Sequence, residues 1–250
     1  MTELSVLLVV NNEEKQIEDC LKTVSFADEI IIILDKCTDK SKIISKKFTK
    51  KIFSGDWPIE GNRRNYGISK CSKDWILEID ADERVSIKLR NEVKKIIKSS
   101  AHDWHKIGVN NYLDNKVINY GWGAYFGKSA YAGLFKKGKK IWGNQSVHPE
   151  IKLLGKEGKR LKNKLDHFYC KNIEDLFVKL DSYSSARAFD LKKSKKKETL
   201  FRNIRRIFSR FWKCFVLRKG YKEREIGFII AIVASIYPLI SYLKKKDIKS

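Results

Sequence analysis

Residues 74–85 read Asp74-Trp75-Ile76-Leu77-Glu78-Ile79-Asp80-Ala81-Asp82-Glu83-Arg84-Val85. Trp75, Ile76, Leu77 and Ile79 form an apolar run of strand length that stops at Asp80, Asp82 and Glu83, acids that a buried strand cannot hold unpaired. The acids therefore mark a strand's carboxyl end, the edge at which open α/β sheets bind ligands. Carboxylates one residue apart at such an edge suit a hard divalent cation carrying phosphate. An acidic turn opening a helix capped by Ser86 would show the same pattern, so the flanking chain has to decide.

Upstream, Leu4–Val10 is an apolar run with strand character, followed by Asn11 and Asn12 and a helical pattern through Ile17, Cys20 and Leu21. A second strand is predicted over residues 30–34, ending at Asp35, then a helix carrying Ile43, Ile44 and Phe48. A short strand near 51–53, a loop over 54–61 and a helix over about 62–71 lead to the strand at Trp75. Strand and helix alternating at this spacing predict an α/β fold with a mostly parallel, doubly wound sheet and helices on both faces. Asp35 and Asp80 then share one rim.

Downstream, residues 104–155 hold short strand-like pieces between glycines and aromatics such as Tyr120, Trp122, Tyr131 and Trp142. Aromatic platforms of this kind stack on sugar rings and equally build ordinary cores. From 199 to 217, Leu200, Phe201, Ile204, Ile207, Phe208, Phe211, Trp212 and Phe215 recur at helical spacing, with Arg202, Arg205, Arg206, Arg210 and Lys213 placed on the other side. That is the pattern of a helix lying in an anionic membrane interface, and also of a surface helix docked on a domain. Residues 226–243 carry no charge but include Pro238. Their eighteen positions lie at the lower edge of spanning length, and the reading preferred over a span is a helix packed on its amphipathic neighbour or partly sunk in the interface.

The net charge of +23 is concentrated in residues 151–250, which hold 27 Lys and Arg against 10 Asp and Glu. Clustered basic residues point to a polyanionic surface, lipid or nucleic acid. The five cysteines show no paired spacing, which suits a reducing compartment rather than a disulfide framework or zinc site. No signal-peptide pattern opens the chain. The expected organisation is a catalytic domain over 1–170 and a basic helical, membrane-associating region over 171–250.

Four motifs in order, Leu4 to Glu14, Ala27 to Asp39 with Asp35, Arg63 to Gly67, and the 74–85 stretch, resemble the family 2 inverting glycosyltransferases, and among them the lipopolysaccharide core glucosyltransferases. The likeness continues through Val147-His148-Pro149-Glu150, Asp166-His167, Arg218 to Tyr221 and Gly227 onward. It implies a GT-A-type nucleotide-sugar-binding sheet and transfer of a hexose, glucose from UDP-glucose, to a lipopolysaccharide-type or lipid-linked acceptor at the inner face of the cell membrane. By the same resemblance Asp35 reads the nucleobase edge, Arg64 and Asn65 line the donor site, and Asp80 faces the ribose or metal. Asp82 ligates Mg²⁺ or Mn²⁺, and His167 approaches the metal or the diphosphate. Inversion needs a base for the acceptor hydroxyl, for which Glu150 is the candidate and His148 the alternative. A nucleic-acid-binding protein on this fold is the rival reading, although no recognised nucleic-acid motif is visible. A nucleotidyltransferase using the same aspartates is a third.

Overall fold

The computed structural model describes residues 2–125, 129–145, 149–194 and 198–248. The chain forms two compact units, Met1–Val109 with Ala130–His167, and Asn110–Ser129 with Phe168–Ser250. The expected alternation is present as strand β1 (Leu4–Val10), helix α1 (Ile17–Val24), β2 (Glu29–Asp35), α2 (Ser41–Ser45), β3 (Ile52–Gly55), α3 (Glu60–Lys70) and β4 (Trp75–Asp80). A two-residue β5 (Glu83–Arg84) and α4 (Ile87–Ser99) follow, then β6 (Trp104–Leu113), β7 (Lys116–Val117), β8 (Ala130–Lys136), β9 (Lys140–Trp142), β10 (Ile151–Leu153) and β11 (Lys164–Cys170). Among the described residues three α-helices follow, α5 (Ile173–Lys193), α6 (Leu200–Trp212) and α7 (Arg224–Asp247), with short π-helical and 3-10 turns at Lys213–Leu217 and Gly220–Glu223 between the last two.

Among the described residues the main sheet runs β3-β2-β1-β4-β8-β6-β11-β5, with β7 paired to β6. The pairs among β1, β2, β3 and β4 are parallel, whereas β4–β8, β6–β8 and β5–β11 are antiparallel. β1 and β2 are apolar at nearly every position because both of their faces are covered. Val6, Leu8, Ile32 and Leu34 pack with Ile17 and Leu21 of α1 and Leu89 and Val93 of α4. The alternate residues Leu7, Ile31, Ile33 and Ile76 pack with Ile68 of α3 on the opposite face. Helices on both faces are what a doubly wound sheet requires. Gly67 allows α3 to lie this close, since a Cβ there would meet Leu7 Cδ1 at 2.6 Å and Ile33 Cγ1 at 2.9 Å. α2 is shorter than its sequence pattern: Ile43 is exposed and single turns carry the chain on to Phe48.

The second unit has its own core, built from Leu113, Ile118, Cys170, Leu176, Leu180, Cys214, Ile230, Ala231 and Val233. α7 packs against both α5 and α6. It is the one helix among the described residues long and apolar enough to cross a membrane by length and composition, yet part of its surface is buried within this unit. Pro238 lies in its interior, and proline has no N–H to give the carbonyl four residues earlier. That carbonyl, of Ala234, instead accepts a hydrogen bond from Arg210 Nε at 2.8 Å. Arg206 likewise turns toward the protein, bonding Glu198 at 2.7 Å and Asn203 Oδ1 at 3.2 Å. The sequence expectation grouped these two arginines with Arg202, Arg205 and Lys213 on an outward basic side. The structure corrects this: a backbone acceptor left by proline and a buried carboxylate draw Arg206 and Arg210 inward.

Arg210→Met should therefore lower stability by about 1 kcal/mol, the lower end of the cost of stranding an acceptor, because the Ala234 carbonyl is part-buried. Pro238→Ala, which restores the N–H, should remove most of that penalty in a double-mutant cycle followed by urea unfolding. Equal penalties in both backgrounds would show that the Ala234 carbonyl is not what holds Arg210.

Candidate active site

The carboxyl rim of the parallel strands is laced together by side chains of the loops that follow β1 and β2. Asn12 adopts a left-handed backbone, φ 55°, which asparagine tolerates better than most residues. Its Oδ1 accepts from the Thr38 N–H at 2.8 Å and the Asp39 N–H at 3.3 Å. Asn11 Nδ2 donates to the Asp35 carbonyl at 2.7 Å, and Asp39 Oδ2 accepts from the Glu14 N–H at 2.8 Å. Asp35 itself is buried at the end of β2. One carboxylate oxygen accepts from the Trp57 N–H at 3.0 Å and the other from Arg63 Nη1 at 2.6 Å.

The centre of the rim is an ion network that starts one turn of strand earlier. Glu78 is 1% exposed in β4, and a carboxylate in that position must be paired. Its two oxygens meet Lys140 Nζ at 2.6 Å and Arg64 Nη1 at 2.9 Å. Burial works to raise the Glu78 carboxyl, but Lys140 and Arg64 outweigh it and hold it below the usual carboxylate range. Lys140 is also buried and gives a second hydrogen bond to the Ala132 carbonyl at 2.9 Å. Arg64 continues the chain of charges, bonding Glu60 at 2.9 Å and Asp80 Oδ1 at 3.2 Å. Burial would lower the Arg64 guanidinium, and Asp80, Glu78 and Glu60 together raise it well above its ordinary value. Its plane lies over the Trp142 ring, 4.7 Å from the centroid. Asn65, the next residue of α3, clasps the same tryptophan by its backbone: Nδ2 donates to the Trp142 carbonyl at 2.8 Å and Oδ1 accepts from its N–H at 2.9 Å.

Beyond Asp80 the chain turns at once into β5, and Glu83 Oε2 accepts from the Asp80 N–H at 3.0 Å. Arg84 Nη1 fixes the turn through the Ala81 and Glu83 carbonyls, both at 2.9 Å. β5 pairs with β11, His167 lying opposite Glu83, and this register brings His167 Nε2 to 3.1 Å from Asp82 Oδ2. Ser86 caps α4 by accepting from the Leu89 N–H at 3.2 Å. The stretch is thus both an acidic strand end and the opening of a capped helix.

Asp80, Asp82, His167, Arg64 and Asn65 are brought together along this rim, and Asp35 shares it through Arg63. Glu150 is exposed just before β10, and its carbonyl accepts from the Gly143 N–H at 2.7 Å beside Trp142. His148 lies outside the described residues. Glu78 and Lys140 complete the site without having stood out in the sequence, and Arg63 and Glu83, both within the quoted motifs, gain partners there: Asp35 for Arg63 and the Asp80 N–H for Glu83. Among the described residues no three His, Cys, Asp or Glu side chains converge as a self-sufficient metal cage. Asp82 and His167 supply a carboxylate and an imidazole side by side, which fits a cation that completes its shell with phosphate oxygens and water.

The model of the family described as glycosyl transferase family 2 matches residues 5–149, more than half of the chain. The chain belongs to glycosyl transferase family 2. It is a glycosyltransferase of GT-A-type fold, and the matched residues include the parallel strands and the acidic rim. Relatives extend beyond the matched segment. A glycosyltransferase of Rickettsia conorii is 26% identical across 99% of this chain and 92% of its own length. The lipopolysaccharide core biosynthesis glycosyltransferase LpsC of Rhizobium meliloti is 23% identical across 96% of this chain and 91% of its own. Among solved structures, glucosyl-3-phosphoglycerate synthase of Mycobacterium tuberculosis, crystallised with Mg²⁺ and UDP, is 20% identical over 43% of each chain, with a TM-score of 0.37.

In this family 2 enzyme the Glu78 network can be tested by unpairing it. Lys140→Met leaves a buried carboxylate with one cation and should cost about 3–5 kcal/mol in urea unfolding. Adding Glu78→Gln, which removes the stranded charge, should recover a large part of that loss. A single variant as stable as the parent would show that Lys140 is dispensable to the rim.

Proposed function

We propose that the enzyme transfers a hexose, glucose from UDP-glucose, with inversion onto a lipopolysaccharide-type or lipid-linked glycan. The observation that carries this reading is the pairing of Asp82 with His167 beside an Asp80 that Arg64 holds at the sheet's carboxyl rim. The similarity to LpsC across nearly the whole of both chains supports the choice of acceptor. Asp35 is assigned to the nucleobase, and its partner Arg63, 24% exposed, is the part of that pair a base edge would meet.

In the reaction so read, the acceptor hydroxyl attacks the anomeric carbon from the face opposite the diphosphate. A carbon–oxygen bond to the acceptor forms as the bond to the diphosphate oxygen breaks, and UDP leaves with the electron pair. The hydroxyl proton passes to the Glu150 carboxylate. Mg²⁺ or Mn²⁺, held by Asp82 and His167, would neutralise charge developing on the departing diphosphate. Arg64 orients Asp80, and Asn65 fixes the Trp142 backbone from which the chain leads to Glu150. All five cysteines are free and four are buried, in keeping with a cytoplasmic enzyme at the inner membrane face.

A panel of labelled nucleotide sugars, assayed with and without Mn²⁺, tests the donor. UDP-glucose should be consumed in a metal-dependent way and yield a glycosylated acceptor, and Asp82→Asn should abolish transfer while leaving the fold intact. Nucleotidyl exchange products, or full turnover by Asp82→Asn, would contradict the reading. Glu150→Gln should lower kcat by about 10²- to 10⁴-fold with donor affinity unchanged. If His148→Ala gives that pattern and Glu150→Gln does not, the base is His148.

A further inference from the structure

α6 is an amphipathic helix set inside out. Its inward side carries Asn203, 1% exposed, with Arg206 and Arg210, all three hydrogen-bonded within their own unit. Its outward side carries Phe201 at 79% exposure, Phe208 at 72% and Trp212 at 59%. Spacings of seven and four residues put these three on one face of the helix, with Ile204, 41% exposed, beside them. The apolar surface extends into the rest of the unit. Phe211 stacks on Phe215 at 5.4 Å, and both meet the edge of Phe228 of α7, at 5.7 and 5.8 Å. Scattered exposed hydrophobic residues need no explanation, but a contiguous aromatic face of this kind marks an interaction surface.

The charges around it indicate the occupant. Residues 199–222 contain eight Lys and Arg and no Asp or Glu, and Arg202, Arg205 and Lys213 are exposed beside the aromatic face. A second copy of the chain seated on this face would bring the same arginines against each other. A bilayer with anionic headgroups accepts aromatic side chains at the acyl boundary and cations at the headgroups at once. We infer that the outward face of α6 is a lipid-docking surface on which the enzyme lies in the plane of an anionic membrane interface. α7, packed against α5 and α6, is then the support of that surface and not a membrane span. This inference rests on the membrane-face location proposed above and deepens it by naming the surface, while the donor and acceptor are tested separately.

Flotation of the full chain with vesicles of phosphatidylglycerol and phosphatidylcholine, beside vesicles of phosphatidylcholine alone, tests it. The protein should float with the anionic vesicles. Phe208→Ser with Trp212→Ser should weaken partitioning about tenfold or more, at low and high salt alike, as expected from keeping large aromatic side chains out of an apolar phase. Arg202→Gln with Arg205→Gln should weaken it by a similar factor at low salt and much less at high salt. Unchanged circular dichroism and donor hydrolysis would establish that these variants fold. Without any disruptive variant, brominated lipid should quench part of the fluorescence of the parent protein, and that part should be missing in Trp212→Phe. Absence of flotation, flotation indifferent to the aromatic pair, or salt-sensitive binding to nucleic acid in place of vesicles would overturn the inference.

Discussion

A carboxylate buried in the middle of a strand has to be matched by positive charge, and that constraint at Glu78 shapes the site around it. Its two oxygens fix Lys140 on one side and Arg64 on the other. Arg64 in turn reaches Asp80 and stacks on Trp142. One buried acid thereby ties β4, α3 and β9 into a single rigid rim. Asp80, two residues on, is held by this arrangement before any substrate arrives, and in the proposed reaction a site that stabilises a departing diphosphate would gain from such preorganisation.

Much of this architecture was legible in the residues. β1, β2 and β4 are nearly unbroken apolar runs ended by polar residues, and the order of strands and helices follows from those runs. The acids at the ends of β2 and β4 were placed on one rim because a parallel sheet puts all carboxyl ends together. Asp82 and His167 were singled out as candidate metal-site residues through the family resemblance, and their hydrogen bond to each other has no local signal, since the two lie so far apart in sequence. Glu78 carries a signal of its own, since a lone acid flanked by Leu77 and Ile79 in an apolar strand calls for a buried cation. Lys140 could not be found that way: it lies in a run with Lys136, Lys137 and Lys139, and nothing in the sequence distinguishes the one lysine that is buried. The antiparallel strands beyond β4 were equally obscure, because their pairing depends on contacts distant along the chain.

The second unit shows how a single backbone constraint can reorient a helix. Periodicity alone suggested that α6 would segregate its aromatic and basic residues, which it does. Which side faces inward was a separate question, decided by local hydrogen bonding. The Ala234 carbonyl released by Pro238 and the Glu198 carboxylate draw Arg210 and Arg206 into the protein, while Phe201, Phe208 and Trp212 are left outside and Phe211 packs against the unit's core. The charge surplus read from residues 151–250 is therefore partly internal to the fold. The exposed arginines and lysines that remain flank an apolar face instead of forming a uniformly basic surface.

The most direct test of the account is to locate a bound cation. Crystals containing UDP and Mn²⁺, measured at the manganese absorption edge, should give an anomalous peak within coordination distance of Asp82 and the diphosphate, with Arg64 still bonded to Glu78 and Asp80. UDP bound at the rim with no manganese at Asp82, or manganese held elsewhere in the chain, would contradict it.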